Sequence, residues 1–292
     1  MKLLVLGRLG QVSSHLRQLA PNALFWGRRE LDLRESPTRI QARIVEESPD
    51  AIINTAAYTA VAKAEEERDS AWALNSLAPA AIARAARDIG APLIHFSTDY
   101  VFDGKHSAPY APTDPVSPLG IYGASKLGGE LAVRVLYQRS WILRCSWVFS
   151  EHGGNFVKTM LHLGAGREEI RVVADQFGRP SYAGDLACLS LRLAQAAVND
   201  SLKSRPGIYH LGSGPVVSWH DFAARIFDRA AAGGLVNRQP KLVAISSEEY
   251  QDGVRRPPRA VLAPSVAFQE ELGGIPDWQI GLEHTLSKLT GC

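Results

Sequence analysis

Cysteine is scarce in this chain: Cys145, Cys188 and Cys292 are the only three in 292 residues, scattered and never in C-x-x-C pairs. That excludes a disulfide framework and predicts reduced thiols in a cytoplasmic setting. An excess of either charge is also missing, since 32 Lys and Arg stand against 30 Asp and Glu for a formal net charge of +2. The balance leaves no electrostatic footprint for nucleic acid, and no basic block suits an anionic membrane surface. Long apolar runs are absent too. The N-terminal run stops at Gly7, too short for the core of a signal peptide, and no segment approaches a membrane span. The rest, 46% apolar and 21% charged, is ordinary for a soluble globular chain of one large or two modest domains.

Strand-like and helix-like segments alternate through the first half. Leu3 to Leu6, Ala23 to Trp26, Ala51 to Asn54, Leu93 to Ser97 and Trp141 to Arg144 are short apolar runs. Helical stretches separate them: Gln11 to Leu19, Thr38 to Glu47, Ala71 to Ile89 and Tyr122 to Leu136. The pattern predicts an α/β fold, a Rossmann-type doubly wound parallel sheet covered on both faces. In such sheets the ligand crevice lies beyond the carboxyl ends of the strands, where Gly7, Asn54, Ser97, Thr98 and Ser146 fall. After about residue 147 the rhythm loosens. Helices are expected at Asn155 to Leu163, Ala183 to Ala197, Trp219 to Ala232 and Gly281 to Leu289, with strands at Ile170 to Val173 and Ile208 to Leu211. We expect residues 1–147 to bind a dinucleotide, and residues 148–292 to form a smaller substrate domain that interleaves with the sheet.

Gly7-x-x-Gly10 follows a strand and precedes a helix. In that context glycine lets the backbone approach a pyrophosphate, whose charge then sits at the helix N-terminus. The usual third glycine is Ser13, small enough for helix–strand packing. The second strand ends in Gly27-Arg28-Arg29 rather than in a carboxylate. Two guanidinium groups favour a ribose 2′-phosphate, hence NADPH over NADH, although the pair could equally be a solvated turn beside Glu30 and Asp32. Asp32-Leu33 is placed to meet the adenine, and Ala56-Ala57-Tyr58-Thr59 lines the path to the nicotinamide.

Tyr122 and Lys126 lie four residues apart in a helical segment and share a face. Reducing a ketone needs a hydride on carbon and a proton on the developing alkoxide. Tyr122 can supply the proton, but a free phenol with a pKa of about 10 is poorly matched to neutral pH. A nearby Lys126 ammonium, together with the positive charge of the oxidised nicotinamide, would lower that pKa, and Lys126 would hold the nicotinamide ribose with its other donors. Thr98, ending the fourth strand, can orient the substrate oxygen. Other chemistries find less support. No H-E-x-x-H motif or Cys/His cluster occurs and the eight histidines are dispersed, so a catalytic zinc has no visible home. Gly212-Ser213-Gly214 lacks the G-x-S-x-G pattern of a nucleophile elbow. Asp99 is expected to contact substrate rather than share a cation with Asp103, and Cys145 to serve packing.

These residues carry a resemblance. Over almost its whole length the chain resembles the extended short-chain dehydrogenases/reductases, and within them the dTDP-4-dehydrorhamnose reductases. The supporting stretches include Gly7-Arg8-Leu9-Gly10-Gln11-Val12, Asn54-Thr55-Ala56-Ala57-Tyr58-Thr59, Ser97-Thr98-Asp99-Tyr100-Val101-Phe102 and Tyr122-Gly123-x-x-Lys126. Arg144-Cys145-Ser146-Trp147-Val148 and Asp175-Gln176-Phe177-Gly178-x-Pro180 continue it. The resemblance implies a dTDP-sugar substrate, dTDP-4-dehydro-6-deoxy-L-mannose, reduced at C4 by NADPH or NADH. It implies catalysis by Thr98, Tyr122 and Lys126, and substrate contacts from Thr98, Asp99 and Trp147. Cofactor contacts would come from Gly10, Gln11, Val12, Asp32, Leu33, Ala57, Tyr58 and Thr59. Read from the residues alone, Trp147 is expected in the core before a ligand wall, although an indole also suits a sugar or base face. Family members can carry a metal-bridged dimer that uses an acidic residue where this chain has His15, so no metal is expected and a homodimer is left open. Two alternatives stand beside this reading: reduction of another nucleotide-linked 4-ketosugar, and a non-catalytic NADP-binding regulatory subunit.

Overall fold

A computed structural model describes residues 1–236, 238–250 and 253–290, and Cys292 lies outside them. Strands β1 (Leu3–Leu6), β2 (Leu24–Trp26), β3 (Ala51–Asn54), β4 (Leu93–Thr98) and β5 (Ser140–Cys145) pair in parallel. Their side chains alternate between two apolar layers, which is why each strand reads as a continuous apolar run. Leu3, Val5 and Ile53 pack into one core beneath α1 (Gln11–Leu19). Leu4, Leu6 and Ile52 pack into the other, beneath α2 (Pro37–Glu47).

The helix expected over residues 71–89 is three pieces. After α3 (Val61–Ala64), the chain forms α4 (Arg68–Trp72), a π-helical turn at Ala73–Leu77, and α5 (Ala78–Ile89). Sequence periodicity cannot register one extra residue in a turn. Helix α6 (Ile121–Leu136) follows and packs on α5 and the π turn. The Glu65 carboxylate accepts the Ile121 N–H at 2.8 Å and so caps the start of α6.

The second half adds β6 (Val148–Phe149), α7 (Phe156–Gly166), β7 (Glu169–Val173), β8 (Phe177–Gly178), β9 (Ser181–Tyr182) and α8 (Ala183–Val198). Then come β10 (Gly207–His210), β11 (Val217–Ser218), α9 (Trp219–Ala232) and β12 (Lys241–Ile245). Strand β10 returns to the main sheet, whose order is β2-β1-β3-β4-β5-β10. Helix α8 covers the α1 face, and the remaining strands form two-stranded pairs. A separate core built on Phe149, Val157, Met160, Phe222, Phe227 and Trp278 supports this half. The architecture is a Rossmann-type α/β fold, with the strand order reversing between β1 and β3 and a crevice opening at their carboxyl ends. Among the described residues no helix is long and apolar enough to cross a membrane.

One buried ion pair fastens α6 to the sheet. Arg144 of β5 is 2% exposed and Glu130 of α6 is 1% exposed, and they meet through two hydrogen bonds of 2.9 and 2.6 Å. Arg144 Nη1 also lies 3.3 Å from Nε2 of His210 in β10, and His210 Nδ1 lies 2.9 Å from the Tyr110 carbonyl. The ring is therefore the neutral tautomer that donates from Nδ1 and accepts at Nε2. Burial first, then Arg144, push its pKa down to about 4. Replacing Glu130 by Ala would strand a buried guanidinium, and the expected loss of stability is about 3–5 kcal/mol. Urea unfolding checks this. A loss below about 1 kcal/mol, the range of exposed pairs, would show that the pair does not hold α6.

Candidate active site

The turn after β1 is shaped by its neighbours. Gly7 has φ +105°, and a Cβ there would lie 2.6 Å from Thr55 Oγ1 and 2.8 Å from the Ala56 nitrogen. Only glycine fits such a position. Gly10, extended at φ −72°, leads into α1, which has no side-chain cap and no acidic residue in its first turn. The free N–H groups of that turn form an anion site. Ser13, fully buried, sits where a third glycine would be expected, with its hydroxyl 2.6 Å from Thr55 Oγ1, which itself donates to the Leu6 carbonyl at 2.8 Å. The extra hydroxyl is thus absorbed without a clash.

A cleft of about 760 Å³ opens beyond these strand ends, a size suited to a dinucleotide. Gly7, Gly10, Arg28, Asp32, Leu33, Ala57 and Thr59 line it, together with Arg8, Trp26, Arg29 and Thr55. Its adenosine end is cationic. Arg8 pairs with Glu30 at 2.6 Å, and Arg34 grips Asp32 at 2.5 and 3.0 Å, holding that carboxyl down to about 2. Arg28 and Arg29 remain exposed beside them. Four guanidinium groups against two neutralised carboxylates fit a ribose carrying a 2′-phosphate.

Three residues singled out in the sequence turn their side chains to partners within the protein. Val12 belongs to the core. Gln11 donates to the Val148 carbonyl at 3.2 Å and accepts from Ser150 Oγ and Asn155 Nδ2 at 2.9 and 3.0 Å, tying α1 to the second half. The Tyr58 hydroxyl donates to Glu67 at 3.0 Å, while its backbone is clamped by the buried Asn75. Asn75 Oδ1 accepts the Tyr58 N–H at 2.8 Å, and its Nδ2 lies 3.1 Å from the Tyr58 carbonyl and 3.0 Å from Ser125 Oγ. Sequence reasoning missed Asn75. Its one signal was an amide inside an otherwise apolar helical stretch.

Thr98, Asp99, Tyr122 and Lys126 converge where β4 ends. The Thr98 hydroxyl donates to Asp99 Oδ1 at 3.0 Å and accepts the Tyr100 N–H at 3.2 Å, starting a 3₁₀ turn over Asp99–Val101. That turn presses on α6. A Cβ at Gly123 would lie 2.2 Å from the Tyr100 carbonyl, and one at Gly129 would lie 2.1 Å from the Asn75 carbonyl. The glycines following Tyr122 and Lys126 therefore let α6 seat closely on both neighbours. The Tyr100 and Tyr122 rings meet edge to face at 5.4 Å.

Burial sets the protonation of these groups. It raises Asp99 to about 7, against the opposing hydrogen bond from Thr98. It lowers Lys126 to about 8, countered by Glu130, while the ammonium donates to the Phe96 carbonyl at 2.7 Å. The Tyr122 phenol is pushed above its usual range by burial, with only the Thr98 hydrogen bond acting the other way. The sequence reading expected Lys126 to lower that phenol. That expectation joined the lysine to the positive charge of an oxidised nicotinamide; the chain's own burial acts in the opposite sense, and Lys126 donates to the strand. Cys145, beside them, is pushed up to about 12 by burial, the state of an inert packing thiol.

Trp147, like Ser48 and Asp200 elsewhere, departs from regular backbone, with φ +49°. Such a conformation costs a non-glycine residue about 1–3 kcal/mol and clusters at ligand sites. Its indole stacks on Trp219 at 3.5 Å, 9° from parallel. Trp219 was not foreseen as part of this wall. The histidines dispersed in the sequence do not all stay apart, because folding brings His15, Glu151 and His152 together.

Comparison with known proteins agrees with this geometry. The chain is 39% identical to a dTDP-4-dehydrorhamnose reductase of Shigella flexneri over 99% of its own length and 98% of the relative's. It is 41% identical to one from Burkholderia thailandensis, over 96% of each chain. A dTDP-4-dehydrorhamnose reductase from Bacillus anthracis, solved in complex with NADP, superposes with a TM-score of 0.88 at 34% identity, covering 99% of this chain and 100% of that one. Residues 1–290 match the RmlD substrate binding domain family, and with these relatives beside it the chain belongs to that family.

Proposed function

We propose that this chain is an NADP-dependent oxidoreductase that reduces the C4 ketone of dTDP-4-dehydro-6-deoxy-L-mannose to give dTDP-L-rhamnose. The observation that carries the reading is the meeting of Thr98 and Tyr122 beside Lys126 at the end of β4, next to a dinucleotide-sized cleft. The relatives that bear the name dTDP-4-dehydrorhamnose reductase, one of them solved with NADP, supply the substrate class and the cofactor. NADPH, when bound, supplies the hydride; Gly7, Gly10 and the start of α1 would hold its pyrophosphate, and Arg28 with its neighbours the 2′-phosphate.

The chain's own residues manage the proton and the orientation. Thr98 turns its hydroxyl from Asp99 to the substrate carbonyl and fixes the ketone. Tyr122, kept protonated by burial, gives its phenolic proton to the alkoxide oxygen, so the C=O gains one hydride at carbon and one proton at oxygen. Lys126 remains an ammonium at neutral pH and offers the nicotinamide ribose the donors it does not use on Phe96. Trp147, backed by Trp219, forms an aromatic wall for the sugar or base. Residues 148–292, apart from segments such as β10 and α8 that return to the sheet, make up most of the substrate side.

The direct test supplies purified protein with substrate generated in place from dTDP-glucose, and follows NADPH consumption and product identity. Formation of dTDP-L-rhamnose is expected. NADPH consumption only with a different nucleotide-linked 4-ketosugar would move the substrate. Cofactor binding with no turnover on any ketosugar would favour a regulatory subunit.

Three variants probe the roles. Tyr122→Phe should abolish turnover and leave NADPH affinity within about twofold, since the phenol acts only on the proton; joint loss of both would make Tyr122 a structural residue. Arg28→Ala should weaken NADPH binding at least about tenfold, the worth of one charge-assisted contact, and leave NADH binding nearly unchanged. Equal effects would remove the 2′-phosphate assignment. A lysine lowered to about 8 is charged below that pH and neutral above it. NADPH affinity, followed by fluorescence, should therefore fall as pH rises through about 8, and Lys126→Arg should flatten the profile. A flat wild-type profile would take Lys126 off the ribose.

A further inference from the structure

Away from the dinucleotide cleft, the fold gathers three metal-ligating side chains that the sequence scatters. His15 comes from α1, and Glu151 and His152 from the turn after β6. One ligand atom from each lies within 4.8 Å of the other two. His15 Nε2 is 3.6 Å from Glu151 Oε2, and His152 Nε2 is 3.5 Å from Glu151 Oε1. Tetrahedral zinc with bonds of about 2.0–2.2 Å places its ligand atoms about 3.3–3.6 Å apart. Each imidazole stands at that spacing from one oxygen of the Glu151 carboxylate, His15 from Oε2 and His152 from Oε1.

A second observation points inward. The His15 side chain is 7% exposed, and its Nε2, enclosed by protein, has no hydrogen-bond partner among the described residues. A buried nitrogen left unpaired is costly, and here the atom faces a carboxylate and a second imidazole. His152, 30% exposed, gives the cluster a way in from solvent. The Gln18 amide lies 3.4 Å from His152 Nε2 and borders the cluster on that side. Tyr182, edge-on to His15 at 5.2 Å, stands beside the Glu151 carboxylate, the place of an outer donor to a ligating carboxylate.

We infer that His15, Glu151 and His152 of a single chain bind a divalent transition metal of the zinc class, with a fourth position open to water. Two imidazoles and one carboxylate suit zinc or cobalt, whereas magnesium and calcium prefer oxygen donors throughout. The bond set differs from a metal shared between two chains, because every ligand comes from one chain. The metal would staple α1 to the turn after β6, alongside the hydrogen bonds of Gln11. The inference stands apart from the reductase reading.

The test uses the full chain stripped of metal by chelation and titrated with Zn²⁺, Co²⁺ or Mg²⁺. Calorimetry should give one Zn²⁺ per chain, and Co²⁺ should give the intense visible bands of a tetrahedral site. Zn²⁺ should raise the melting temperature, and Mg²⁺ at the same concentration should do none of these things. His152→Ala and Glu151→Gln, each verified as folded by circular dichroism, should lose the stoichiometric binding. Absence of zinc binding in the wild type overturns the inference. So does binding undiminished in both variants, which would place the metal elsewhere. Half a metal per chain found only in dimeric fractions would also overturn it, in favour of a bridge between chains.

Discussion

The Glu130–Arg144 ion pair is the constraint on which the geometry of the site rests. Tyr122 and Lys126 project from α6, while Thr98 ends β4, so the three groups of the proposed mechanism meet only if helix and sheet keep a fixed relation. Apolar packing alone sets that relation loosely, because an aliphatic surface tolerates sliding. A doubly hydrogen-bonded guanidinium–carboxylate pair, 2% and 1% exposed, does not slide. Through Arg144 the same pair reaches His210 on β10 and the Phe102 ring, whose face lies 5.0 Å from the guanidinium carbon. The sixth strand, arriving from the far half of the chain, is thus tied through Arg144 to the helix that carries Tyr122.

Desolvation gives the site its chemistry with few charges. Lys126, Tyr122 and Asp99 share one buried neighbourhood, and each is driven toward its neutral form. For a reduction this is a useful starting state. Under the proposed mechanism the phenol would still hold the proton it delivers, and the Asp99 carboxyl would sit near a sugar hydroxyl without the full cost of a buried anion.

How much of this was legible in the sequence depends on the range of the interaction. The five first-half strands could be read because parallel strands buried on both faces are apolar throughout, and the ends of β1, β3 and α1 coincide with expectation. The Tyr122/Lys126 pair could be read because i and i+4 share a helix face whatever lies around them. The two-residue strands β6, β8, β9 and β11 could not, since two residues carry no period. Nor could the contact that joins Asn75 to Tyr58 and Ser125, or the one that joins His15 to Glu151 and His152. These exist only after distant segments meet, and histidine spacing along the chain holds no trace of them. The Tyr122 phenol shows the same limit in energy: the lysine four residues away was visible, but the burial that outweighs it was not.

The π turn at Ala73–Leu77 makes the length of the chain itself a carrier of information. A π turn holds one residue more than the α-helical ladder around it, and such an insertion survives where the displaced residue is useful. Here that residue is Asn75, turned onto the backbone after β3 and onto α6 at once. Removing a single residue from the segment would restore an unbroken α-helix. Everything on one side of the cut would then rotate by about 100° against the other, and the amide would leave both partners. Aligned chains of this family can therefore be sorted by a gap at this point as well as by which residues they carry. A gap would mark loss of the clamp even where the asparagine itself is retained.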